Sequence, residues 1–487
     1  MARRPVNPPA RGWSLTLRPR DWARLEQHLF SDGEEHGAVV LAERVDGPRG
    51  PRLLATQILL AEDGVDYVAG THGHRALTAA FVRDAALRAR AGRLAYIAFH
   101  NHGGSTRVGF SNVDLDSHER GYPAIRQITG HTVGAVVCTP QAAAGDLWLP
   151  DGTRALLAEL VVPGPQLRRL RPEPARPPVG GPAAFDRQAR LFGDLGQATF
   201  REMTVAIVGL GGVGSIVAEY LARVGIGHLI LIDNDTVDET NLPRLVGATR
   251  RDIGKPKVKL ARRNIRRANP HSKVTLQRSA VQDPDALRLL AMADWIFLAA
   301  DTHAARHWVN AIVEAHLIPA TQLGVKVPVN TDGEIGRIHA AYRRMIPGYG
   351  CFWCNGLINP AELAIDMAPD TEREQAQYVE NVPAASVITL NGITAAQATT
   401  DFLLAITDLS AYAAMHHFEF VRERTAISTV PRRDADCGWC GDSDEAGLRC
   451  QLAARLTATP RAVPVNWDRR LLDLFRRGRS PGNRHTA

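Results

Sequence analysis

The sequence predicts an α/β protein with two domains in succession, the second built on a doubly wound, Rossmann-like parallel sheet. The chain has 487 residues, more than one hydrophobic core usually serves. Prolines and glycines crowd residues 161–183, which predicts an irregular linker. Beyond it, short apolar runs alternate with helical stretches, the pattern of a parallel sheet. We therefore expect domains at 1–160 and 184–442 and a basic tail at 443–487.

Composition excludes several classes of protein. Apolar residues make up 45% of the chain, enough to fill two cores. No run of eighteen apolar residues occurs and no apolar signal segment follows Met1, so we expect a cytoplasmic protein without a membrane partner. The net charge of +7 reflects dispersed arginine without a basic groove interleaved with aromatic residues, so nucleic acid is not an expected partner.

In the first domain we expect strands at 37–42 and 94–99 and a helix around 78–90. His100 and His102 directly follow the second strand, and side chains two residues apart lie on one side of an extended chain. Both imidazoles can therefore bind one zinc ion, with Asp114 as the third ligand. Three protein ligands leave one position for an activated water, and Glu34 is the candidate base.

This spacing, with Ser111 three residues before Asp114, resembles the JAB/JAMM metalloproteases over residues 15–150. The resemblance implies a JAB-type α/β domain with a catalytic zinc at His100, His102 and Asp114. It implies an acid/base role for Glu34, with Glu35 as the alternative if the register differs by one, and an oxyanion-binding role for Ser111. Gly103 stands where proline is usual, and eight residues separate His102 from Ser111 where seven are common; a loop absorbs one extra residue.

The second domain begins with a buried strand at 204–208, a glycine-rich turn and a helix at 215–224, followed by a strand at 228–232. Glycines in such a turn let phosphates approach the backbone at the amino end of the helix. Asp233, at the end of the second strand, suits a ribose hydroxyl. By itself this pattern fits a dinucleotide oxidoreductase equally well. The candidate phosphate-binding glycines are Gly209, Gly211, Gly212 and Gly214.

Further polar residues distinguish these two possibilities. Asp235, Asn241, Arg244 and Lys257 follow within a short span, and a triphosphate attacked by a carboxylate needs such cationic groups. Over residues 184–442 the chain resembles the ThiF/MoeB/ubiquitin-activating family. That resemblance implies ATP and Mg²⁺, with Asp233 on ribose, Asn241, Arg244 and Lys257 on phosphates, and Asp301 linked to magnesium. It also implies a homodimer, in which Arg187 reaches the ATP site of the partner protomer.

Six cysteines are present, and four of them form two Cys-x-x-Cys pairs. Four thiolates suit a closed, structural zinc site; the ligands are Cys351, Cys354, Cys437 and Cys440. The crossover stretch 377–383, where related enzymes place a carrier cysteine, has none. Cys138 follows an apolar run and is expected to be buried and inert. Cys450 or the thiol or amine of a partner protein is then left to accept the adenylate.

Together these motifs predict a bifunctional enzyme of ubiquitin-like modification. The first domain cleaves a peptide or isopeptide bond beside a ubiquitin-like tail, and the second adenylates the terminal glycine of that tail. The resemblance implies a ubiquitin-like partner and a conjugating enzyme, as in bacterial operons, and by analogy a role in antiviral conjugation. Two alternatives remain open: activation of a sulfur carrier for thiocarboxylate biosynthesis, and a scaffold that binds a ubiquitin-like partner without catalysis.

Overall fold

The computed structural model of the chain describes residues 12–46, 50–68, 75–174, 183–329, 333–368, 385–410 and 415–441. Within these ranges the chain forms two eight-stranded sheets flanked by helices. In the same ranges, no helix has both the length and the apolar character needed to cross a membrane. The predicted basic tail at 443–487 lies outside the described residues.

The first sheet belongs to the amino-terminal half of the chain. Its strands are β1 (Trp13–Thr16), β2 (Gly37–Val45), β3 (Arg52–Leu60), β4 (Ala95–Asn101), β5 (Val133–Cys138), β6 (Ala143–Trp148), β7 (Arg154–Pro163) and β8 (Leu167–Leu170). They lie in the order β1-β3-β2-β4-β5-β6-β7-β8, and β1 also pairs with β7, so that a ring of seven strands closes. The helices are α1 (Pro19–Leu29), α2 (Ala79–Gly92) and α3 (Asn112–Thr129).

The central strand β2 is apolar and buried on both faces from Gly37 to Ala42. Val40 and its alternate neighbours face one core cluster, while Val39 and Leu41 face the other, which contains α2. Strands buried on both sides lose the apolar–polar alternation of a solvent-facing sheet. β2, β4 and α2 confirm the two strands and the helix that the sequence predicts here.

The second sheet has the topology of a doubly wound domain. Its strands are β9 (Thr204–Val208), β10 (His228–Ile232), β11 (Lys273–Gln277), β12 (Trp295–Leu298), β13 (Ala320–Lys326), β14 (His339–Met345), β15 (His416–Phe420) and β16 (Thr425–Thr429). Strands β11-β10-β9-β12-β13 are parallel, and β14, β15 and β16 continue the sheet antiparallel. Seven α-helices accompany it among the described residues: α4 (Asp186–Glu202), α5 (Gly212–Val224), α6 (Lys257–Ala268), α7 (Pro284–Leu290), α8 (His303–His316), α9 (Pro360–Asp366) and α10 (Ile388–Ile406).

Strand register brings the carboxyl ends of the central parallel strands together. Val208 of β9 lies opposite both Ile232 of β10 and Leu298 of β12. The chain leaves β9 to one side for β10 and to the other side for β12, which makes this edge the topological switch point where open α/β sheets bind ligands. The fold therefore places the glycine-rich turn at a ligand-binding edge.

The segment predicted as a linker is partly ordered as a hairpin of the first sheet. β7 runs to Pro163, and β8 pairs with it antiparallel, Leu160 opposite Leu170. The prolines and glycine at 163–165 therefore form a hairpin turn, which corrects the expectation of irregular structure throughout 161–183. Residues 175–182 lie outside the described residues. Leu167 packs against the core of the second half, so β8 joins the two halves.

Candidate functional site

The structure brings His100, His102 and Asp114 together at the carboxyl end of β4. The Nε2 atoms of His100 and His102 are 3.2 Å apart. Asp114 Oδ1 lies 3.4 Å from His100 Nε2, and Asp114 Oδ2 lies 3.3 Å from His102 Nε2. Three ligands at about 2.0–2.2 Å from one tetrahedral ion are separated by about 3.3–3.6 Å. The donor set and its spacing therefore fit a zinc ion.

Asp114 is fixed by the start of α3. Ser111 caps this helix, and its backbone N–H and its Oγ each donate a hydrogen bond of 2.7 Å to Asp114 Oδ2. Burial opposes ionisation of Asp114, but the hydrogen bond and charge of His100 and the bonds from Ser111 together lower its pKa well below the usual range. Asp114 is thus held as an oriented carboxylate. Ser111 contacts this ligand, and its oxyanion-binding role stays a prediction.

The carboxylate that faces this group belongs to Glu35. Its Oε1 lies 3.8 Å from His102 Nε2, whereas Glu34 is exposed. The reason is strand register: Gly37 of β2 lies opposite His100 of β4. Continuing the antiparallel count places residue 35 opposite His102, on the same face of the sheet, and residue 34 on the other face. The geometry therefore favours Glu35, the alternative candidate base, over Glu34.

Asn101, between the two histidines, was missed by the sequence analysis. It is 8% exposed; its Oδ1 accepts the backbone N–H of His36 at 2.7 Å, and its Nδ2 donates to the Glu34 carbonyl at 3.0 Å. Both bonds hold the entry to β2 against the end of β4, which sets the register of Glu35. The alternation of an extended strand was the available signal: the middle residue of His-x-His must face the opposite way.

The glycine-rich turn connects β9 to α5 at the switch-point edge. Gly209 has φ +87°, and a Cβ there would lie 2.7 Å from the backbone nitrogen of Ala300. A Cβ at Gly214 would collide with the carbonyl oxygen of Gly209. The turn therefore needs glycine at both positions to pack against the segment after β12. The amino end of α5, which begins at Gly212, points its free N–H groups at this edge.

Asp233 and Lys257 lie beside this turn. The buried carboxylate of Asp233 accepts backbone N–H groups from Leu210 at 2.6 Å and Asp235 at 2.8 Å. Burial raises the pKa of Asp233, although these two bonds and the charge of Lys257 oppose the shift. Lys257, the first residue of α6, donates from Nζ to Asp235 Oδ2 at 2.7 Å. Asp233 thus fixes the turn, and its ribose contact remains a prediction.

The other residues predicted to bind the nucleotide differ in how deeply they are buried. Asn241 is 4% exposed, and its Oδ1 is buried without a hydrogen-bond partner in the described part of the chain. Such an orphaned acceptor is costly unless a ligand or water satisfies it. Arg244 is half-buried one turn later. Asp301, three residues beyond the end of β12, is exposed, and so is Arg187 in the first turn of α4.

The four predicted zinc thiolates converge although their two pairs are 86 residues apart. The Sγ–Sγ distances are 3.8 Å for Cys351–Cys354, 3.6 Å for Cys351–Cys437 and 3.4 Å for Cys354–Cys440. Zn–S bonds of about 2.3 Å predict edges of about 3.8 Å. The cluster therefore fits one tetrahedral zinc ion. Cys138 is buried, which raises the pKa of its thiol; residues 377–383 and Cys450 lie outside the described residues.

The sheet order, the glycine turn and the converging strand ends define the second half as a Rossmann-like nucleotide-binding domain. The model of the ThiF family matches residues 185–439. The chain belongs to the ThiF family.

Its relatives include "Molybdopterin-synthase adenylyltransferase" of Escherichia coli strain K12, 37% identical over 137 residues, which are 28% of this chain and 55% of that protein. "SAMP-activating enzyme E1" of Haloferax volcanii is 28% identical over 162 residues, 33% of this chain and 56% of that protein. The matched region spans about half the length of each of these relatives. Among solved structures, MccB of Escherichia coli has a TM-score of 0.44 at 23% identity, covering 54% of this chain and 75% of that one.

Proposed function

We propose that this chain is a bifunctional enzyme acting on the carboxyl-terminal tail of a ubiquitin-like or sulfur-carrier protein. The ThiF-family half would adenylate the terminal glycine with ATP. The first half, as a JAB/JAMM-type zinc hydrolase, would cleave a peptide or isopeptide bond beside such a tail. Membership of the ThiF family and the activities named for its relatives support the first part. The convergence of His100, His102, Asp114 and Glu35 supports the second.

For adenylation, the glycine carboxylate attacks the α-phosphorus of ATP, the bond to the β-phosphate oxygen breaks, and pyrophosphate leaves. Negative charge on the phosphate oxygens needs nearby donors and cations. The turn at 209–214 and the start of α5 offer backbone N–H groups. Lys257 and Arg244 would hold the phosphates, and Asp301 would orient the magnesium of the nucleotide. The Asn241 side chain, whose acceptor Oδ1 has no partner among the described residues, would also reach the ligand. This division of roles explains why polar groups collect at one edge of the sheet.

For hydrolysis, a zinc ion held by His100, His102 and Asp114 would supply a water whose pKa falls towards about 7. Glu35, with its carboxylate on the same face as His102, would take a proton from that water and return it to the leaving nitrogen. Asn101 would keep Glu35 at this position through its two backbone bonds. Ser111 would orient Asp114 and, by resemblance, hold the oxyanion.

We further propose that the domains follow the predicted boundaries, with the first extended to Leu170, and that Arg187 completes the ATP site of a second protomer in a homodimer. Its exposure at the start of α4 supports such a reach. One chain then holds both centres at high effective concentration around one tail. A conjugating enzyme, or Cys450, would accept the activated glycine.

Pyrophosphate exchange tests the adenylation. Purified protein, ATP and labelled pyrophosphate should exchange only when a ubiquitin-like protein ending in glycine is added. Lys257→Ala should lower the exchange rate by about 10²-fold or more, because a cation beside the phosphates is lost. Lys259→Ala, an exposed residue of the same helix, is the matched control and should retain exchange. Absence of exchange with every glycine-ended partner, while a labelled partner still binds, would instead support the non-catalytic scaffold.

Sulfur-carrier activation is the second candidate, and a relative from Thermus thermophilus, "Sulfur carrier protein adenylyltransferase", favours it. Mass spectrometry of the partner after reaction with ATP distinguishes the two. A protein adduct supports conjugation. A thiocarboxylate as the sole product supports sulfur transfer and removes the conjugation proposal.

A further inference from the structure

A cavity of about 470 Å³ lies between the two halves of the chain. Three of its lining residues, Thr204, His228 and Lys273, are the first residues of β9, β10 and β11, and they lie side by side in register. Each of these strands has five residues, and the glycine-rich turn follows β9 at the opposite, carboxyl-end edge. At about 3.3 Å per residue, the two edges are about 16 Å apart. The cavity is therefore separate from the proposed ATP site.

The first half supplies the opposite wall. Ser14 of β1, Arg52 of β3, Glu159 of β7 and Arg169 of β8 line the cavity. Arg169 Nη2 also donates to Asp294 Oδ1 at 3.0 Å, and Asp294 Oδ2 accepts the backbone N–H of Thr204 at 2.8 Å. These contacts hold the two walls together. A ligand in the cavity would contact both halves at once.

Charge in the lining is unbalanced. Among the lining residues that the structure describes, two carboxylates, Glu159 and Glu202, face five cationic side chains, which gives these residues a net charge of +3 with His228 neutral; the cations are Arg52, Arg169, Arg171, Arg201 and Lys273.

The recorded ion pairs do not balance this excess. Arg171 pairs with both carboxylates, at 3.2 Å and 3.0 Å, while Arg169 pairs with Asp294 and Arg52 donates to the carbonyl of Ala291 at 2.8 Å. Within the described ranges, Arg201 and Lys273 have no carboxylate partner within 4.0 Å, and Arg201 Nε is buried without a hydrogen-bond partner. Among the described residues, these two cations are thus left without a carboxylate and are available to an anionic ligand.

We infer that this cavity binds a compact polyanion with two or more phosphate groups. Arginine presents a planar fork of donors that matches phosphate oxygens, and lysine adds a point charge. The volume lies within the range of small-molecule sites, about 300–1,000 Å³. The described lining contains no phenylalanine, tyrosine or tryptophan on which a nucleobase would stack. Recognition therefore rests on the phosphates.

The competing explanation is structural. Arg201 lies in the last turn of α4, which ends at Glu202, and cations near a helix carboxyl end offset the partial negative charge there. Under that explanation the excess charge stabilises the helix and attracts no specific ligand. Binding measurements on the intact protein separate the two explanations.

Pyrophosphate is the probe, titrated calorimetrically into the full chain at constant ionic strength, with sulfate as the reference anion. We expect saturable binding that Arg201→Gln with Lys273→Gln weakens about tenfold or more. The control Arg88→Gln with Arg90→Gln removes equal charge from exposed positions of α2 and should leave the affinity unchanged. Arg244→Gln with Lys257→Gln removes cations beside the glycine-rich turn and should leave pyrophosphate binding at the cavity intact. Adding Arg201→Gln and Lys273→Gln to that variant should abolish the remaining binding.

Three results would overturn the inference. The first is no saturable binding of pyrophosphate beyond that of sulfate. The second is binding that the Arg244 and Lys257 changes abolish and the Arg201 and Lys273 changes leave intact. The third is equal weakening by the α2 control, which would reveal unspecific attraction. If the double variant fails to fold by circular dichroism, Lys273→Gln alone, at an exposed residue, carries the same test.

Discussion

The two metal-ligand groups of this chain differ in how they are built. The four-cysteine group offers four soft thiolates and no further position, so a zinc ion there is enclosed. The histidine group offers three ligands, and the Glu35 carboxylate lies 3.8 Å from one of them, Nε2 of His102. A closed set suits a structural ion, and an open set suits chemistry on a bound water. On this comparison we expect the cysteine group to contribute stability, and the proposed catalysis would belong to the histidine group.

The two groups also differ in the structural elements that carry their ligands. Cys351 and Cys437 lie in loops after β14 and β16, and their meeting draws Phe352 into the second core and Trp439 onto α8. His100 is the penultimate residue of β4, a strand that contributes to both cores of the first half, and Asp114 lies in the capped first turn of α3. The cysteine ligands thus lie in loops that we expect a bound metal to hold together, whereas β4 and α3 position the histidine group without a metal. Losing the metal should therefore affect the two regions differently.

The largest effect is expected from breaking the cysteine group. Cys437→Ser should remove one of two zinc ions per chain and destabilise the ThiF-family half strongly, because structural zinc contributes about 10–16 kcal/mol in small zinc domains. Metal content by mass spectrometry and the unfolding temperature by calorimetry measure this. Cys138→Ala removes a thiol outside the group and should leave the zinc content unchanged. An unaltered unfolding temperature in Cys437→Ser would contradict the structural assignment.

The open group should respond in the opposite way. His102→Ala should lose the other zinc ion and all measurable cleavage of a tail fusion, yet the unfolding temperature should stay within a few degrees, since β4 and α3 hold the site without metal. His131→Ala, a half-buried histidine of the same half, should retain zinc and activity. If His102→Ala unfolds the protein as Cys437→Ser does, the two groups have the same role and the comparison is wrong.

The sequence predicts features that depend on local patterns better than features that depend on strand pairing over long distances. Spacing alone identified both ligand sets, because His-x-His and Cys-x-x-Cys are local patterns, and it located the glycine turn between β9 and α5. It ranked Glu34 above Glu35 as the candidate base, because it could not foresee the pairing of β2 with β4 across 63 positions of sequence. It also read the prolines near 163 as a linker where β8 forms a hairpin. Long-range register, rather than local propensity, was the missing information.

Replacing Glu35, the carboxylate that the strand register favours, should have an intermediate effect on cleavage. Glu35→Gln should retain zinc and lower the cleavage rate by about 10²–10⁴-fold, the usual contribution of a positioned base. Glu34→Gln is the matched control: it changes the same atoms one residue away, on the exposed side, and should leave the rate within a few-fold. Cleavage assays at saturating zinc measure both. The reverse pattern would restore the original assignment and show that β2 enters the sheet in a different register.

The smallest effect is expected from removing the hydrogen bonds by which Ser111 orients Asp114 in the histidine group. Ser111→Ala removes the Oγ bond to Asp114 Oδ2 and the cap of α3, so it should cost about 1 kcal/mol of stability and weaken zinc binding about 10–100-fold. Thr78→Ala removes a similar cap from α2, where Thr78 Oγ1 accepts the N–H of Phe81. This control should lose comparable stability and keep its zinc affinity. Equal zinc affinities in the two variants would mean that Asp114 is oriented by the backbone alone.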